Sequence, residues 1–290
     1  MKPAPFKYHD PRNLSDVLGL LASLENAKLL AGGQSLGPML NFRYVMPDHL
    51  IDLNRVGELA YVRVDGRQVK VGAMTRQRTL ERSAELQRLC PILHECLQEV
   101  GHFQTRNRGT LGGSLSHLDP AAELPGVMAL YDAVLEVAGP AGKRSVAMAD
   151  WGRGYMTPNL NPDEVLTGLS WDAWDGPHGH AFAEFARRRG DFAIVGVACL
   201  LALDARQQIK RVAIGLIGVG YAPVRVTVAE RLLTGAPFND GALEAAAAEA
   251  RKIEAKSDLY AGSTYRQRLG GVLTTRALRT AYERAKNHDR

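Results

Sequence analysis

Cysteine is scarce in this chain. Cys90, Cys96 and Cys199 are the three present, and none pair as Cys-x-x-Cys. So sparse and odd a set fits a reducing compartment rather than a disulfide framework. No apolar run approaches the roughly 20 residues of a membrane-spanning helix. Met1 to Asp10 holds prolines and charges where a signal segment would hold an apolar stretch. A cytoplasmic location is therefore expected. No long Lys/Arg run stands outside Arg187-Arg188-Arg189, and the net charge is +5 over 290 residues. That balance is too mild for a nucleic-acid partner to be the default. There is no Gly-x-Ser-x-Gly elbow, no separated Ser, His and Asp set that spacing singles out, and no solenoid-type repeat.

The remaining composition is that of a folded protein: 46% hydrophobic and 23% charged residues, in a chain long enough for two domains. Its organising feature is the stretch Leu29-Leu30-Ala31-Gly32-Gly33-Gln34-Ser35-Leu36. An apolar run ends there in a glycine pair followed by small polar residues. Glycine permits φ > 0 and removes the Cβ that would obstruct a ligand, and consecutive amides in such a turn form a concavity for an anion. Thr110-Leu111-Gly112-Gly113-Ser114 repeats the chemistry about eighty residues later. A lone Gly-Gly pair is commonly a plain turn. Two such loops can hold the two phosphates of one dinucleotide. No Gly-Lys-Ser/Thr follows the first, which argues against an NTPase. In "IGLIGVG", Gly215, Gly218 and Gly220 do not have the Rossmann spacing, and Pro223 precedes any helix.

Read in order, Phe6 to His9 is an edge strand. Ser15 caps a helix carrying Val17, Leu18, Leu21 and Leu24. Lys28 to Ala31 and His49 to Leu53 are strands around a helical turn at Pro38 to Arg43. This order predicts a small parallel sheet. Tyr61 to Gly72 alternates as a hairpin about Asp65-Gly66. Thr75 caps a helix from Arg76, although Thr79-Leu80-Glu81 can equally begin it, and Pro91 opens another. Val127 to Val137 reads as helix then strand, and Val165 to Ser170 as strand. Trp174 to His180 is loop-like and suits a domain joint. Beyond it, 181–188, 193–203 and 211–219 predict a three-stranded antiparallel sheet. Helices follow at 228–233, 241–253 and 263–287, the last with Leu269, Val272, Leu273 and Leu278 at helical spacing.

His117, Asp119 and Glu123 follow the second glycine stretch. No His or Cys elsewhere has a partnering spacing, so a metal site is not favoured. Asp119 or Glu123 can accept hydrogen bonds from ribose or ribityl hydroxyls, or order the glycine loop. Equally, Asp119-Pro120 can simply start a turn and cap a helix entered at Ala121. His94 and His102 read as helix-surface or helix-end residues.

Five segments carry a resemblance over nearly the full length: "LLAGGQSLGPMLNFR" (29–43), "VGAMTRQRTLERS" (71–83), "RNRGTLGGSLSHLDPAAELP" (106–125), "FARRRGDFAIVGVA" (185–198) and "YRQRLGGVLTTRAL" (265–278). The chain resembles the FAD-binding medium subunit of molybdenum hydroxylases, the xanthine dehydrogenase and aerobic carbon monoxide dehydrogenase family. The resemblance implies an α+β fold. A two-part FAD-binding domain of the vanillyl-alcohol-oxidase (PCMH) type would span residues 1–176, with subdomains about 1–56 and 57–176. A C-terminal α+β domain would span 177–290. It implies non-covalent FAD, its pyrophosphate held by Leu29, Leu30, Ala31, Gly32, Gly33, Gln34, Ser35 and Leu36 and by Thr110, Leu111, Gly112, Gly113 and Ser114. His117, Asp119 and Glu123 would contact sugar and ribityl parts. Leu166, and Asp191 and Ile194 in the Gly190 to Ile194 stretch, would lie by the flavin ring. Some members have Lys where this chain has Glu184, so no role is carried to it.

In that family the substrate reacts at a molybdenum cofactor on a large subunit, and electrons pass through two [2Fe-2S] clusters on a small subunit. The resemblance implies both partners, as a dimer of heterotrimers, and no catalytic or metal-binding residue in this chain. The shortage of cysteine agrees. A stand-alone flavin oxidase or reductase of the same fold is the alternative, and a non-catalytic nucleotide-binding module a third. Arg187 to Arg189 can place positive charge near the reduced flavin or at a subunit contact, or form a solvated strand edge.

Overall fold

The computed structural model describes residues 1–287. The chain opens with β1 (Lys7–His9), α1 (Leu14–Ser23), β2 (Ala27–Leu30), α2 (Leu36–Asn41) and β3 (His49–Asp52). The strands pair in parallel in the order β1-β3-β2, as expected from the βαβ order. Val17 and Leu21 of α1 pack on Ile51 and Leu53 in a small core of their own. The cap of α1 is Asn13, not Ser15: the Asn13 backbone is extended and its Oδ1 accepts the amide of Asp16 at 2.8 Å. Ser15 lies two positions too late, inside the helix.

The middle of the chain is a run of helices framed by strands. The hairpin β4 (Val62–Asp65) and β5 (Gln68–Gly72) turns at Gly66, whose φ is +58°. Six short helices follow: α3 (Gln77–Arg82), α4 (Ala84–Leu89), α5 (Pro91–Glu99), α6 (Phe103–Arg108), α7 (Leu111–His117) and α8 (Glu123–Leu130). Then come β6 (Val134–Gly139), β7 (Gly142–Ala147), the small pair β8 (Gly152–Gly154) and β9 (Thr157–Pro158), and β10 (Val165–Asp172). One antiparallel sheet takes the order β4-β5-β10-β6-β7. Thr75 does not cap α3. Its hydroxyl donates to the Tyr61 carbonyl at 2.8 Å and accepts the Tyr61 amide at 3.1 Å, so it is spent on closing the hairpin base.

The last part holds β11 (Gly179–Phe185), β12 (Val195–Leu203), β13 (Ile209–Ile217), β14 (Val224–Arg225), α9 (Thr227–Leu233), α10 (Asp240–Arg251) and α11 (Ser263–Asn287). The antiparallel sheet has four strands, not three. The extra strand is the two-residue β14, too short to show alternation. It is held because Arg225 grips Glu230 through two hydrogen bonds and donates to the Ala129 carbonyl. β11 stops at Phe185, so Arg187 to Arg189 lie beyond the strand, where Arg187 stacks on Tyr260 at 4.2 Å.

β12 explains how the parts join. Val195, Val197, Cys199 and Leu201 face the core beneath α9 to α11. The alternate residues Ala198, Leu200 and Ala202 face the large core shared with α5 and α8. A strand covered on both sides reads as a continuous apolar run because neither face meets water. The approach is close: a Cβ on Gly126 of α8 would stand 2.5 Å from Ile217 of β13. On the other side, a Cβ on Gly179 would come within 1.7 Å of the Ala281 carbonyl of α11.

Candidate functional site

β2 runs straight into the first glycine turn. Gly33 has φ = +73°, a conformation that costs any other residue about 1–2 kcal/mol. The Gly37 amide donates to the Gly33 carbonyl at 2.9 Å and starts α2. Gln34 is exposed, and its side-chain amide donates back to the Gly32 carbonyl at 3.2 Å. Among the described residues, no acceptor meets the backbone N–H groups of Gly33, Gln34 and Ser35. Three successive donors at the mouth of a turn are thus left without a protein acceptor among the described residues.

The turn is braced from behind. Asn54 donates to the Ala31 carbonyl at 3.0 Å and accepts from Arg76 at 2.5 Å. Arg76 also donates to the Arg108 carbonyl, at the end of α6. Burial, the repulsion of Arg108 adding to it, lowers the proton affinity of this guanidinium. Neither Asn54 nor Arg76 was expected at the site from residue chemistry, although Arg76 lies within the 71–83 segment that carries the resemblance.

Thr110 to Ser114 is not a second loop. Residues 111–117 form α7, capped by Thr110, whose hydroxyl accepts the Gly113 amide at 3.0 Å. The other early amides are also engaged: Leu111 with the Thr75 carbonyl, Gly112 with that of Ala73 and Ser114 with that of Thr110. The glycines here serve proximity rather than unusual φ. A Cβ on Gly112 would lie 2.4 Å from the Ala73 Cβ. A Cβ on Gly113 would lie 2.7 Å from the Thr110 hydroxyl and 3.4 Å from the Ala31 Cβ. The two motifs, eighty residues apart in sequence, are therefore neighbours, with the positive end of α7 beside the first turn.

His117 closes α7 and is half-buried; burial lowers its proton affinity against the pull of Asp119. Asp119 accepts the Ala121 amide at 2.8 Å, the turn-forming role that the Asp-Pro pair allows. It does not cap α8, which begins at Glu123 after Ala122. Glu123 is buried, and its carboxyl is raised from 4.5 to about 7 by loss of water, with Asp119 and Glu99 adding repulsion. Glu184 on β11 is raised to about 9 by burial and then by Glu123 and Glu99, and its Oε2 has no hydrogen-bond partner among the described residues. Leu166 is buried in the main core opposite Val137. Asp191 pairs with Arg187 at 3.5 Å. Ile194 is buried, its carbonyl taken by Arg266. Gly190, at φ = +82°, presses on His102: a Cβ there would be 2.7 Å from the imidazole.

Residues 4–170 match the family model for the FAD binding domain in molybdopterin dehydrogenase. Residues 180–281 match that for the CO dehydrogenase flavoprotein C-terminal domain. The chain is 35% identical to the carbon monoxide dehydrogenase medium chain of Afipia carboxidovorans, covering 99% of this chain and 100% of the relative. It is also 35% identical to the 6-hydroxypseudooxynicotine dehydrogenase complex subunit alpha of Paenarthrobacter nicotinovorans, covering 99% and 97%. Among solved structures, a chain of the carbon monoxide dehydrogenase of Hydrogenophaga pseudoflava superposes with a TM-score of 0.95 at 35% identity, covering 98% of this chain and 99% of that one.

Proposed function

Because the chain belongs to the FAD-binding medium subunits of the molybdenum hydroxylases, the family of xanthine and carbon monoxide dehydrogenases, we propose that its two glycine motifs hold the FAD pyrophosphate as one cradle. The protein is the flavin-carrying component of a heteromeric dehydrogenase and passes electrons between its partners' clusters and an external acceptor. The observation that supports the cradle is the juxtaposition of Gly113 with Ala31, beside a turn with three unengaged amides. A Cβ at Gly32 would meet the Arg108 carbonyl and one at Gly113 the Thr110 hydroxyl, so both glycines are what let the two motifs pack this closely.

When bound, FAD supplies a ring that accepts and releases electrons. The chain's own residues bind and orient it. Gly33, Gln34 and Ser35 offer amides to phosphate oxygens, and α7 adds its dipole. Asn54 and Arg76 keep the turn at fixed distance from α6. Arg76 is at the same time the nearest fixed cation that these contacts describe, and it favours an anionic ligand. His117 and Asp119 stand where sugar and ribityl hydroxyls are proposed to reach. Glu123, buried in α8, is proposed to contact the sugar and ribityl parts together with His117 and Asp119. Leu166, Asp191 and Ile194 are proposed to flank the ring.

The proposed partners are a large molybdenum-cofactor subunit and a small subunit with two [2Fe-2S] clusters, arranged as a dimer of heterotrimers in the cytoplasm. The proposed domain boundary lies at about residue 176. Reconstitution tests the reading. The isolated chain should bind FAD and take electrons from dithionite, yet turn over no aldehyde, purine, N-heterocycle or carbon monoxide; adding the two other subunits should restore turnover. Substrate oxidation by the isolated chain would favour the stand-alone oxidase instead.

A further inference from the structure

Arg266, near the start of α11, is 2% exposed. A buried guanidinium needs partners for its donors; both terminal nitrogens of Arg266 find them, while its Nε has none among the described residues. Here one terminal nitrogen donates to the Ile194 carbonyl at 2.5 Å and to the Gly218 carbonyl at 2.7 Å. The other donates to Asp258 Oδ2 at 2.5 Å. The Asp258 Oδ1 in turn accepts the amides of Tyr260 and Ala261. One side chain thus ties three segments: 190–194 before β12, 217–220 after β13, and 254–261 before α11.

These segments meet the first domain at several places. The Gly218 amide donates to the Pro120 carbonyl at 2.7 Å, in the turn that carries Asp119. Gly218 has φ = +76°, and a Cβ there would stand 2.4 Å from the Ile194 carbonyl, so the contact needs glycine. At its other end the 190–194 segment rests on His102 through Gly190. His102 precedes α6, and the far end of α6 carries the Arg108 carbonyl on which Gly32 packs. α6 has six residues, a span of about 9 Å. The 190–194 segment therefore sits one short helix away from the first glycine turn.

We propose that Arg266 is a positioning residue for the flavin ring: through the Ile194 and Gly218 carbonyls it fixes the 190–194 segment at the domain junction. It touches no cofactor atom itself. A planar fork can serve two carbonyls and a carboxylate at once, which a lysine ammonium on the same stem cannot do with the same geometry. The inference rests on the FAD reading above, with the pyrophosphate at the glycine turn and the ring toward residue 194.

The test separates the two halves of the ligand. FAD and ADP affinities are measured by titration calorimetry for the parent, Arg266→Met and Arg266→Lys, with circular dichroism on each apo chain. In the variants, FAD should bind at least about tenfold more weakly, a factor worth 1.4 kcal/mol. ADP, which reaches only the glycine turn, should bind as in the parent, and the absorption band of bound FAD should lose its fine structure. Arg266→Lys should retain part of the FAD affinity that Arg266→Met loses. Equal weakening of FAD and ADP, unchanged FAD binding, or failure of the lysine variant to fold would each assign Arg266 to the fold alone and overturn the proposal. A parent chain that binds neither ligand would instead overturn the FAD reading.

Discussion

Gly32 faces the carbonyl of Arg108 so closely that a Cβ on it would stand 2.3 Å from the oxygen. Both partners are backbone, and Arg76 holds the same oxygen from the other side. Neither can step aside cheaply. Gly32→Ala should therefore push the first turn off α6 and lose flavin, while the far sheet of the C-terminal part keeps its structure. Flavin per chain beside far-UV circular dichroism checks this; full flavin occupancy would show that the turn is not part of the site.

Gly33→Val and Gly113→Val should also abolish FAD binding with most of the fold intact, but for different reasons. At Gly33 the obstacle is φ = +73° combined with a branched side chain. At Gly113 it is the Thr110 hydroxyl, which a Cβ would displace from its capping bond, at a cost of about 1 kcal/mol. Gly113→Val should thus lower the melting temperature slightly even without FAD. Normal flavin occupancy in both variants would refute the paired cradle.

FAD should be held without a covalent bond. Attachment at the first turn needs a nucleophile, and the residue there is Gln34, an amide engaged with the Gly32 carbonyl. Acid precipitation should release all yellow colour to the supernatant, and a yellow, fluorescent pellet would contradict this.

Stability should fall as pH rises from about 4.5 to about 9, most steeply below about 7 where both groups contribute. Glu123 and Glu184 titrate near 7 and near 9 in the fold and near 4.5 when unfolded. Between those values the native state holds the extra protons, so raising the pH favours unfolding. Facing them are Glu99, Asp119 and the buried Cys96, whose thiol burial and these carboxylates raise. Glu184→Gln removes the higher transition. Thermal melts of the apo chain from pH 6 to 9 should show a shallower decline in the variant; identical slopes would place the effect elsewhere.

Breaking the Arg106–Glu81 pair should be costly. Both side chains are buried and joined by two hydrogen bonds, at 3.0 and 3.2 Å, and Arg106 also holds the Val100 and Gly101 carbonyls. Burial pushes the Glu81 carboxyl up, and the bonds from Arg106 and Arg78 outweigh it. Arg106→Ala leaves the buried Glu81 carboxylate with Arg78 alone and the Val100 and Gly101 carbonyls without their donor, and should cost about 1–3 kcal/mol in denaturant unfolding. It should also weaken FAD, since α6 carries the Arg108 carbonyl behind Gly32.

Much of this was legible because local chemistry and tertiary need agree. The predicted bounds of the terminal helix, 263–287, match α11 because its apolar spacing is long and uninterrupted. The Pro91 start and the Asp65-Gly66 turn are encoded by single residues with fixed backbone preferences. Disagreement came where a distant partner decides. Gly112-Gly113 reads as a loop by composition, yet Thr110 caps a helix there and Ala73 supplies the surface that needs a bare Cα. Thr75 is drawn from capping to the hairpin base. The first turn was foreseen and its braces were not: Asn54 and Arg76 are ordinary surface types until the fold brings them behind Ala31 and under Arg108. Glu123 and Glu184 are sixty-one residues apart, and only the packing of α8 on the C-terminal sheet makes them interact.

β12 is lined on one side by residues of one core and on the other by residues of a second. Inheritance must respect that. A C-terminal half borrowed from a relative would bring its own side chains at 198, 200, 202, 213 and 217 against an α8 shaped by Gly126 to receive these ones. The two halves are therefore not interchangeable cassettes. A chimaera joined near residue 176 would need matched changes along α5 and α8, and substitutions on either side of that seam are expected to travel together between lineages.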